Sequence, residues 1–151
     1  GVTYERNVAR ITMRGVPDSP GIAAKVFEPL TEANVSVDTI VQNASAERLT
    51  DLSFTVERDD VSKALAVSKA VASDIGAVDC VANDHLGNVS IVGTGMQNTP
   101  GYASRMFRTL SDAAINIEMI TTSQIRITCL VDEGQVDAAV LALHQAFELD
   151  Q

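Results

Sequence analysis

Val16-Pro17-Asp18-Ser19-Pro20-Gly21-Ile22-Ala23-Ala24-Lys25-Val26-Phe27 returns eighty positions later as Met96-Gln97-Asn98-Thr99-Pro100-Gly101-Tyr102-Ala103-Ser104-Arg105-Met106-Phe107. The copies stay in step beyond the quoted stretch. Leu30 matches Leu110, Ala33 matches Ala113, and Val35, Val37 and Ile40 match Ile115, Ile117 and Ile120. The repeated object is therefore a whole strand, loop, helix, strand module. In each copy a Pro-Gly pair sits where a strand hands over to a helix, and such a helix start offers unpaired backbone N–H groups to an anion. A duplicated small-anion site is the first function this pattern suggests.

Reading outward, Arg10 to Gly15 has strand character and Val16 to Ser19 forms a loop. Ile22, Ala23, Val26, Phe27, Leu30 and Ala33 recur at helical spacing. Val35 to Asn43 reads as a second strand, and Leu49 to Val56 as a third, hairpin-linked through Ala44 to Arg48. Asp60 is placed to cap the next helix, whose stripe is Val61, Leu65, Ser68, Val71, Ala72 and Ile75, with Gly76 ending it. Ala77 to Ala82 is the fourth strand, followed by an Asn83-Asp84-His85 linker. The result is βαββαβ, an α+β module with an antiparallel sheet and both helices on one face.

The second copy starts at Asn88 to Gly93 and runs its helix from Gly101 to Ala114. It pairs Ile117 to Thr122 with Gln124 to Val131 through a tighter turn, then closes with a helix from Glu133 striped by Val136, Val140, Leu143 and Phe147. That leaves it one strand short. Val2-Thr3-Tyr4 is the economical replacement, so the first module is expected to be inserted within the second. The domains are then 7–84 and 85–151, the latter completed by residues 1–6.

A chain of 151 residues holds two such modules, each small enough to call for a packing partner. The formal net charge of −9 argues against nucleic acid and anionic membrane as partners. No apolar stretch approaches the roughly 20 residues of a membrane span, and the expected location is the cytoplasm. Cys80 and Cys129 lie in apolar runs without a metal-ligand neighbour, as reduced core residues do. His85 and His144 are isolated, so no metal site is expected. Gly93-Thr94-Gly95 lacks the third glycine of a dinucleotide loop, and no phosphate-gripping Gly-Lys-Ser/Thr loop exists. No cofactor and no catalytic group is expected. What remains is the pair of Pro-Gly loops, where a helix start attracts a carboxylate and Asp18 could hold an ammonium. A zwitterionic amino acid carries both groups. The alternative is that Pro-Gly only starts a helix and Asp18 only caps it.

The stretches at 15 to 23, Ile40-Val41-Gln42-Asn43, Thr50-Asp51-Leu52-Ser53-Phe54, Gly95-Met96 before Pro100-Gly101, and above all Ile115-Asn116-Ile117-Glu118-Met119-Ile120-Thr121-Thr122-Ser123-Gln124-Ile125-Arg126-Ile127 resemble the C-terminal regulatory region of bacterial aspartokinases. The resemblance covers essentially the whole chain. It implies two ferredoxin-like ACT domains, the first inserted in the second, regulating an aspartate kinase whose catalytic part lies elsewhere. It also implies that two chains pair as a homodimer, with effector amino acids at seams between the first ACT domain of one chain and the second of its partner. The threonine pocket implied would use Asp18, Pro20, Gly21, Ile22, Ala23 and Gln42, with Asn116, Ile117 and Glu118 from the partner module. Within it, Gly21 and Ile22 would present N–H groups to the ligand carboxylate. A second seam for lysine or another threonine would use Met96, Thr99, Gly101, Tyr102 and Ser123 against Ser36, Val37 and Asp38. Ser36 stands where that family usually has Asn, and Tyr102 where it has a small aliphatic residue. Rival readings are a tandem amino-acid sensor serving another enzyme or a transcription regulator, and, more distantly, an acylphosphatase-like enzyme. The last needs a phosphate-gripping Arg, which the Pro-Gly loops do not carry.

Overall fold

A computed structural model describes residues 1–44, 47–93 and 100–148 of the chain. The order is β1 (Val2–Pro17), α1 (Ile22–Glu32), β2 (Ile40–Ala44), β3 (Leu49–Glu57), α2 (Val61–Ile75), β4 (Asp79–Val92), α3 (Tyr102–Asp112), β5 (Met119–Thr122), β6 (Arg126–Asp132) and α4 (Val136–Leu143), which runs into a π-helical turn at His144–Glu148. Two compact units result. One is Val8–Asp84; the other is Gly1–Asn7 together with His85–Gln151, so the first module is inserted in the second.

In the inserted module the strands lie in the order β2-β3-β1-β4, with β3 antiparallel to both β1 and β2. Ile11 opposes Phe54 and Met13 opposes Leu52, so alternate residues of two strands face one way. That face packs on Ile22, Val26 and Leu30 of α1 and on Ala64, Val71 and Ala72 of α2. Both helices therefore cover one side of the sheet. Burying each such aliphatic or aromatic side chain contributes ~1.5–3 kcal/mol relative to leaving it in water. Where β1 bulges between Met13 and Val16, the Gly15 N–H turns away from the ladder to Asp51 Oδ1 at 2.9 Å.

The other module repeats the plan in the order β1-β4-β6-β5. Its β1 portion is the N-terminal segment, with the Val92 N–H donating to Gly1 O at 2.8 Å and the Gly1 ammonium to Val92 O at 2.6 Å. Val89 opposes Cys129 and Ile91 opposes Ile127, facing Met106, Leu110, Val136, Ala139 and Leu143. The duplication extends to small polar details. A cross-strand hydroxyl pair, Thr12 with Ser53 at 3.0 Å, recurs as Ser90 with Thr128 at 2.7 Å. Each first helix ends in the same two-bond cap. Asn34 donates to Thr31 O and Val35 to Leu30 O, as Ala114 does to Ser111 O and Ile115 to Leu110 O, with Asn34 at φ 62° and Ala114 at φ 59°. The cores differ by compensation. Bulky Phe54 and small Ser68 in one module stand where small Cys129 and bulky Leu143 stand in the other, all four with 0% exposure.

Three expectations are corrected. Strand β2 begins at Ile40, not Val35, because the approach segment touches β3 only around Thr55, through Asp38 N–H to Thr55 O and Thr55 N–H to Thr39 O, both 3.0 Å. Asn83-Asp84-His85 is not a linker but the middle of β4. Those three residues include no Gly or Pro to interrupt the strand. Asp60 does not cap α2 through its side chain, because a 3-10 turn at Arg58–Asp60 precedes the helix and leaves Asp60 itself in helical backbone geometry. The other module does have a side-chain cap at the corresponding place: Asp132 Oδ2 accepts the Gly134 N–H at 2.9 Å at the start of the 3-10 turn Glu133–Gln135. Both cysteines are buried and unpaired with each other, and burial pushes Cys80 up to about 11 and Cys129 up to about 12. No helix among the described residues is long and apolar enough to cross a membrane.

Candidate effector-binding loops

The turn between β1 and α1 is built by three backbone bonds. The Asp18 N–H donates to Arg48 O at 2.8 Å, Ile22 N–H to Ser19 O at 3.1 Å, and Lys25 N–H to Gly21 O at 3.2 Å. Gly21 sits at φ 85°, left-handed geometry that an L side chain would strain, and no side chain caps the helix. Neither the Asp18 nor the Ser19 side chain caps the first turn. The Ile22 N–H is already used by Ser19 O, and the next first-turn donors are those of Ala23 and Ala24, both exposed. Of the expected pair Gly21 and Ile22, the Ile22 N–H is thus engaged within the turn. Ile22 is 8% exposed and belongs to the core, whereas Asp18, Pro20, Gly21 and Ala23 are at the surface. An exposed helix start of this kind attracts a carboxylate by ~0.3–1 kcal/mol, and the Asp18 carboxylate stands three residues before Gly21.

Asp18, Pro20, Gly21, Ile22 and Ala23 are thus brought together on one turn. Gln42 is exposed on β2, opposite Leu52, and β3 lies between its strand and β1. Asn116, Ile117 and Glu118 form a second surface element on the other module. The Asn116 amide Nδ2 donates to Glu118 Oε2 at 2.9 Å and the Glu118 N–H to Leu130 O at 2.7 Å, while Ile117 packs against the core. The equivalent Ser36, Val37 and Asp38 keep the backbone bond, Asp38 N–H to Thr55 O at 3.0 Å, and the apolar anchor Val37. A serine hydroxyl is too short to repeat the amide-to-carboxylate bridge, and Ser36 and Asp38 are exposed, as Asn116 and Glu118 are.

The second helix start copies the first in its backbone. Gly101 is at φ 100° without a side-chain cap, and the Arg105 N–H donates to Gly101 O at 2.9 Å. Met96 and Thr99 lie outside the described residues. Ser123 is exposed, with its N–H on Arg126 O at 2.8 Å in the β5–β6 turn. The residue after Gly101 departs from the first copy. The ring of Tyr102 stacks on Phe147 with centroids 6.3 Å apart and planes 11° apart. Arg105 covers the other ring of that pair, its guanidinium carbon 4.8 Å from the Phe147 centroid, and it donates to Ala146 O. Phe147 is legible in sequence as part of an inner stripe. Its meeting with Tyr102 is not, because it depends on the π-helical turn at His144–Glu148. Among the described residues no group of three His, Cys, Asp or Glu could hold a metal ion.

The ACT domain family matches this chain twice, over residues 11–70 and 89–147. An aspartokinase of Pseudomonas aeruginosa is 47% identical over 99% of the chain, which spans 36% of that relative's length. The chain likewise spans 36% of the Mycobacterium tuberculosis aspartokinase, to which it is 40% identical. Among solved structures, the regulatory subunit of aspartate kinase from Thermus thermophilus superimposes with a TM-score of 0.90 at 38% identity, 97% of each chain being covered.

Proposed function

The chain belongs to the ACT-domain family, in the branch formed by the regulatory regions of aspartokinases, and from that premise we propose that it senses threonine, with lysine as a second effector, to feedback-inhibit an aspartate kinase. The observation that carries the reading is the duplicated Pro-Gly helix start, with left-handed Gly21 and Gly101, uncapped first turns, and an acidic side chain beside the first. The functional ACT domains are 7–84 and 85–151 with 1–6. The chain itself has no catalytic residues and takes no cofactor; phosphorylation of the aspartate side-chain carboxylate by ATP belongs to a catalytic partner. It acts in the cytoplasm as a homodimer.

In this reading the ligand carboxylate meets the Ala23 and Ala24 N–H groups, Asp18 neutralises its ammonium, Pro20, Gly21 and Ile22 shape the turn, and Gln42 meets a remaining polar group. Asn116, Ile117 and Glu118 of a second chain close the pocket. The related seam for lysine or a second threonine is lined by Met96, Thr99, Gly101, Tyr102 and Ser123 against Ser36, Val37 and Asp38. An effector held by two chains binds strongly in only one arrangement of their interface. That differential affinity shifts the kinase toward its inactive state.

Calorimetric titration of threonine into the wild type, Asp18→Ala and Gln42→Ala tests the assignment. Losing a hydrogen bond to a charged group costs ~1.5–3 kcal/mol, so each variant should bind about 10- to 100-fold more weakly. Unchanged affinity in folded dimers would reduce the first Pro-Gly loop to a helix start.

A further inference from the structure

Strand β1 changes register on its way to the first Pro-Gly loop. Ile11 opposes Phe54 and Met13 opposes Leu52, but Val16 opposes Thr50 and Pro17 opposes Leu49. Arg14 and Gly15 therefore share the single place opposite Asp51, as two residues do at a β-bulge. The extra residue switches the face on which side chains fall. Ile11 and Met13 reach the core from odd positions, and past the bulge Val16 reaches it from an even one, with 0% exposure. It also sets the place of Asp18, which follows the Pro17–Leu49 pair and donates its N–H to Arg48 O at 2.8 Å. In a register without the bulge Pro17 would stand opposite Arg48, and proline has no N–H to give.

The bulge is fixed from two sides. Gly15 takes φ 65°, and a Cβ there would run into Val78 Cγ2, so glycine alone fits. Its N–H, turned out of the ladder, is satisfied by Asp51 Oδ1 at 2.9 Å, a bond strengthened by the charge of its acceptor. The Arg14 side chain is held separately, by both oxygens of Asp79. On β2, Asp51 opposes Asn43, the neighbour of Gln42. Asp51 thus stands between the two polar residues, Asp18 and Gln42, that the proposed pocket draws from this module. Counting back from the matched hydroxyls Ser53 and Thr128, the other module carries Arg126 in its place, and a guanidinium only donates.

We propose that Asp51 is a positioning residue for the first effector loop, fixing through the Gly15 N–H the register that sets Asp18 against Arg48 ahead of α1. This deepens the proposed function and rests on it. Asp51 touches no ligand in this scheme. It acts through the order of the loop, because an effector binds only the fraction of chains in which Asp18 is in place. With Arg126 at the matching position, this clamp belongs to the first loop and distinguishes the two seams.

The test uses the full 151-residue chain as wild type, Asp51→Ala, Asp51→Asn and Asp79→Asn. For each, exchange of the Asp18 amide is followed by NMR and threonine is titrated calorimetrically. The net worth of one hydrogen bond corresponds to about three- to tenfold in a local opening equilibrium. Asp51→Ala should speed exchange of the Asp18 amide by about that factor and weaken threonine binding comparably. Asparagine keeps the Oδ1 acceptor and should restore both. Asp79→Asn breaks the neighbouring ion pair without removing the acceptor of the Gly15 N–H, so it should lower stability and leave both readouts at wild-type values. Equal losses of affinity in Asp79→Asn and Asp51→Ala would mark a merely structural role and overturn the proposal. An Asp18 amide indifferent to Asp51→Ala, an affinity unchanged once that amide has loosened, or failure of asparagine to rescue also overturns it, in each case with the proposed function intact. Absence of threonine binding by wild type overturns the proposed function and this inference with it.

Discussion

Ala114 occupies a position that ordinarily calls for glycine, and replacing it should stabilise the second module. It lies just past α3 at φ 59°, where its N–H reaches Ser111 O at 2.9 Å and the next N–H reaches Leu110 O at 2.9 Å. An L-residue with a Cβ in left-handed geometry is strained by roughly 1–2 kcal/mol. Glycine relieves that strain but adds freedom to the unfolded chain worth ~0.4–1 kcal/mol. The difference favours Ala114→Gly by about 0.8 kcal/mol. The side chain is exposed, so no burial is lost, and the Gln135 Nε2 bond to the Ala114 carbonyl at 3.3 Å involves backbone that the substitution leaves in place. Asn34 is the internal control. It fills the same cap in the inserted module at φ 62°, and asparagine tolerates that geometry, so Asn34→Gly should change little. Native-state hydrogen exchange reads the two modules separately. Amides of α3 and β6 should gain about fourfold in protection in Ala114→Gly, with those of α1 and β3 unchanged. Equal gains from both substitutions, or a loss in Ala114→Gly, would refute the strain argument.

Ser68→Ala should raise stability by ~1 kcal/mol, because the Ser68 hydroxyl is fully buried without a hydrogen-bond partner and alanine is also the better helix former; a lower urea midpoint for the variant would contradict this. Arg14 donates through Nε at 2.6 Å and through its second nitrogen to the two oxygens of Asp79, holding that carboxyl below its ordinary range. A depressed folded-state value means the stabilisation is present above the ordinary carboxylate pKa of about 3.9 and is lost as pH falls below it. The gap in urea midpoint between wild type and Asp79→Asn should therefore close in acid, and a gap independent of pH would remove the pair from the account. Thiols raised to about 11 and about 12 stay protonated at neutral pH, so Cys80 and Cys129 should resist a thiol-labelling reagent until the chain unfolds. Labelling of either at the unfolded rate in native buffer would show that the cores are more open than described.

Much of the fold is written in local pattern. The Pro-Gly repeat marked the two helix starts, and the stripes Val26, Leu30 and Met106, Leu110 and the hairpin alternation Leu52, Phe54, Val56 became core as their spacing implies. Val2-Thr3-Tyr4 joined the second module because an incomplete sheet leaves an edge that only a distant strand can fill. The misreadings share a cause. Val35 to Thr39 has strand composition, but the left-handed turn at Asn34 and the single partner Thr55 prevent a ladder. His85 looks like linker by its polar neighbours, whereas strand continuity is decided by pairing. At the candidate site, the Pro-Gly turns were legible from two residues, since their geometry is set by proline and glycine themselves. Which N–H groups stay open was not, because it depends on the Ser19 carbonyl turning back to Ile22. The contact of Tyr102 with Phe147 needed a π-helical turn that no periodicity announces.

The central claim is that this chain reads an amino acid on behalf of a kinase. The measurement that meets it most directly is the rate of ATP-dependent aspartate phosphorylation by an aspartate kinase catalytic region reconstituted with this chain, with and without threonine. The account predicts no turnover by the chain alone, turnover by the assembly, and threonine inhibition that requires the chain and weakens in Asp18→Ala. A rate untouched by threonine in an assembly that demonstrably contains the chain would contradict it.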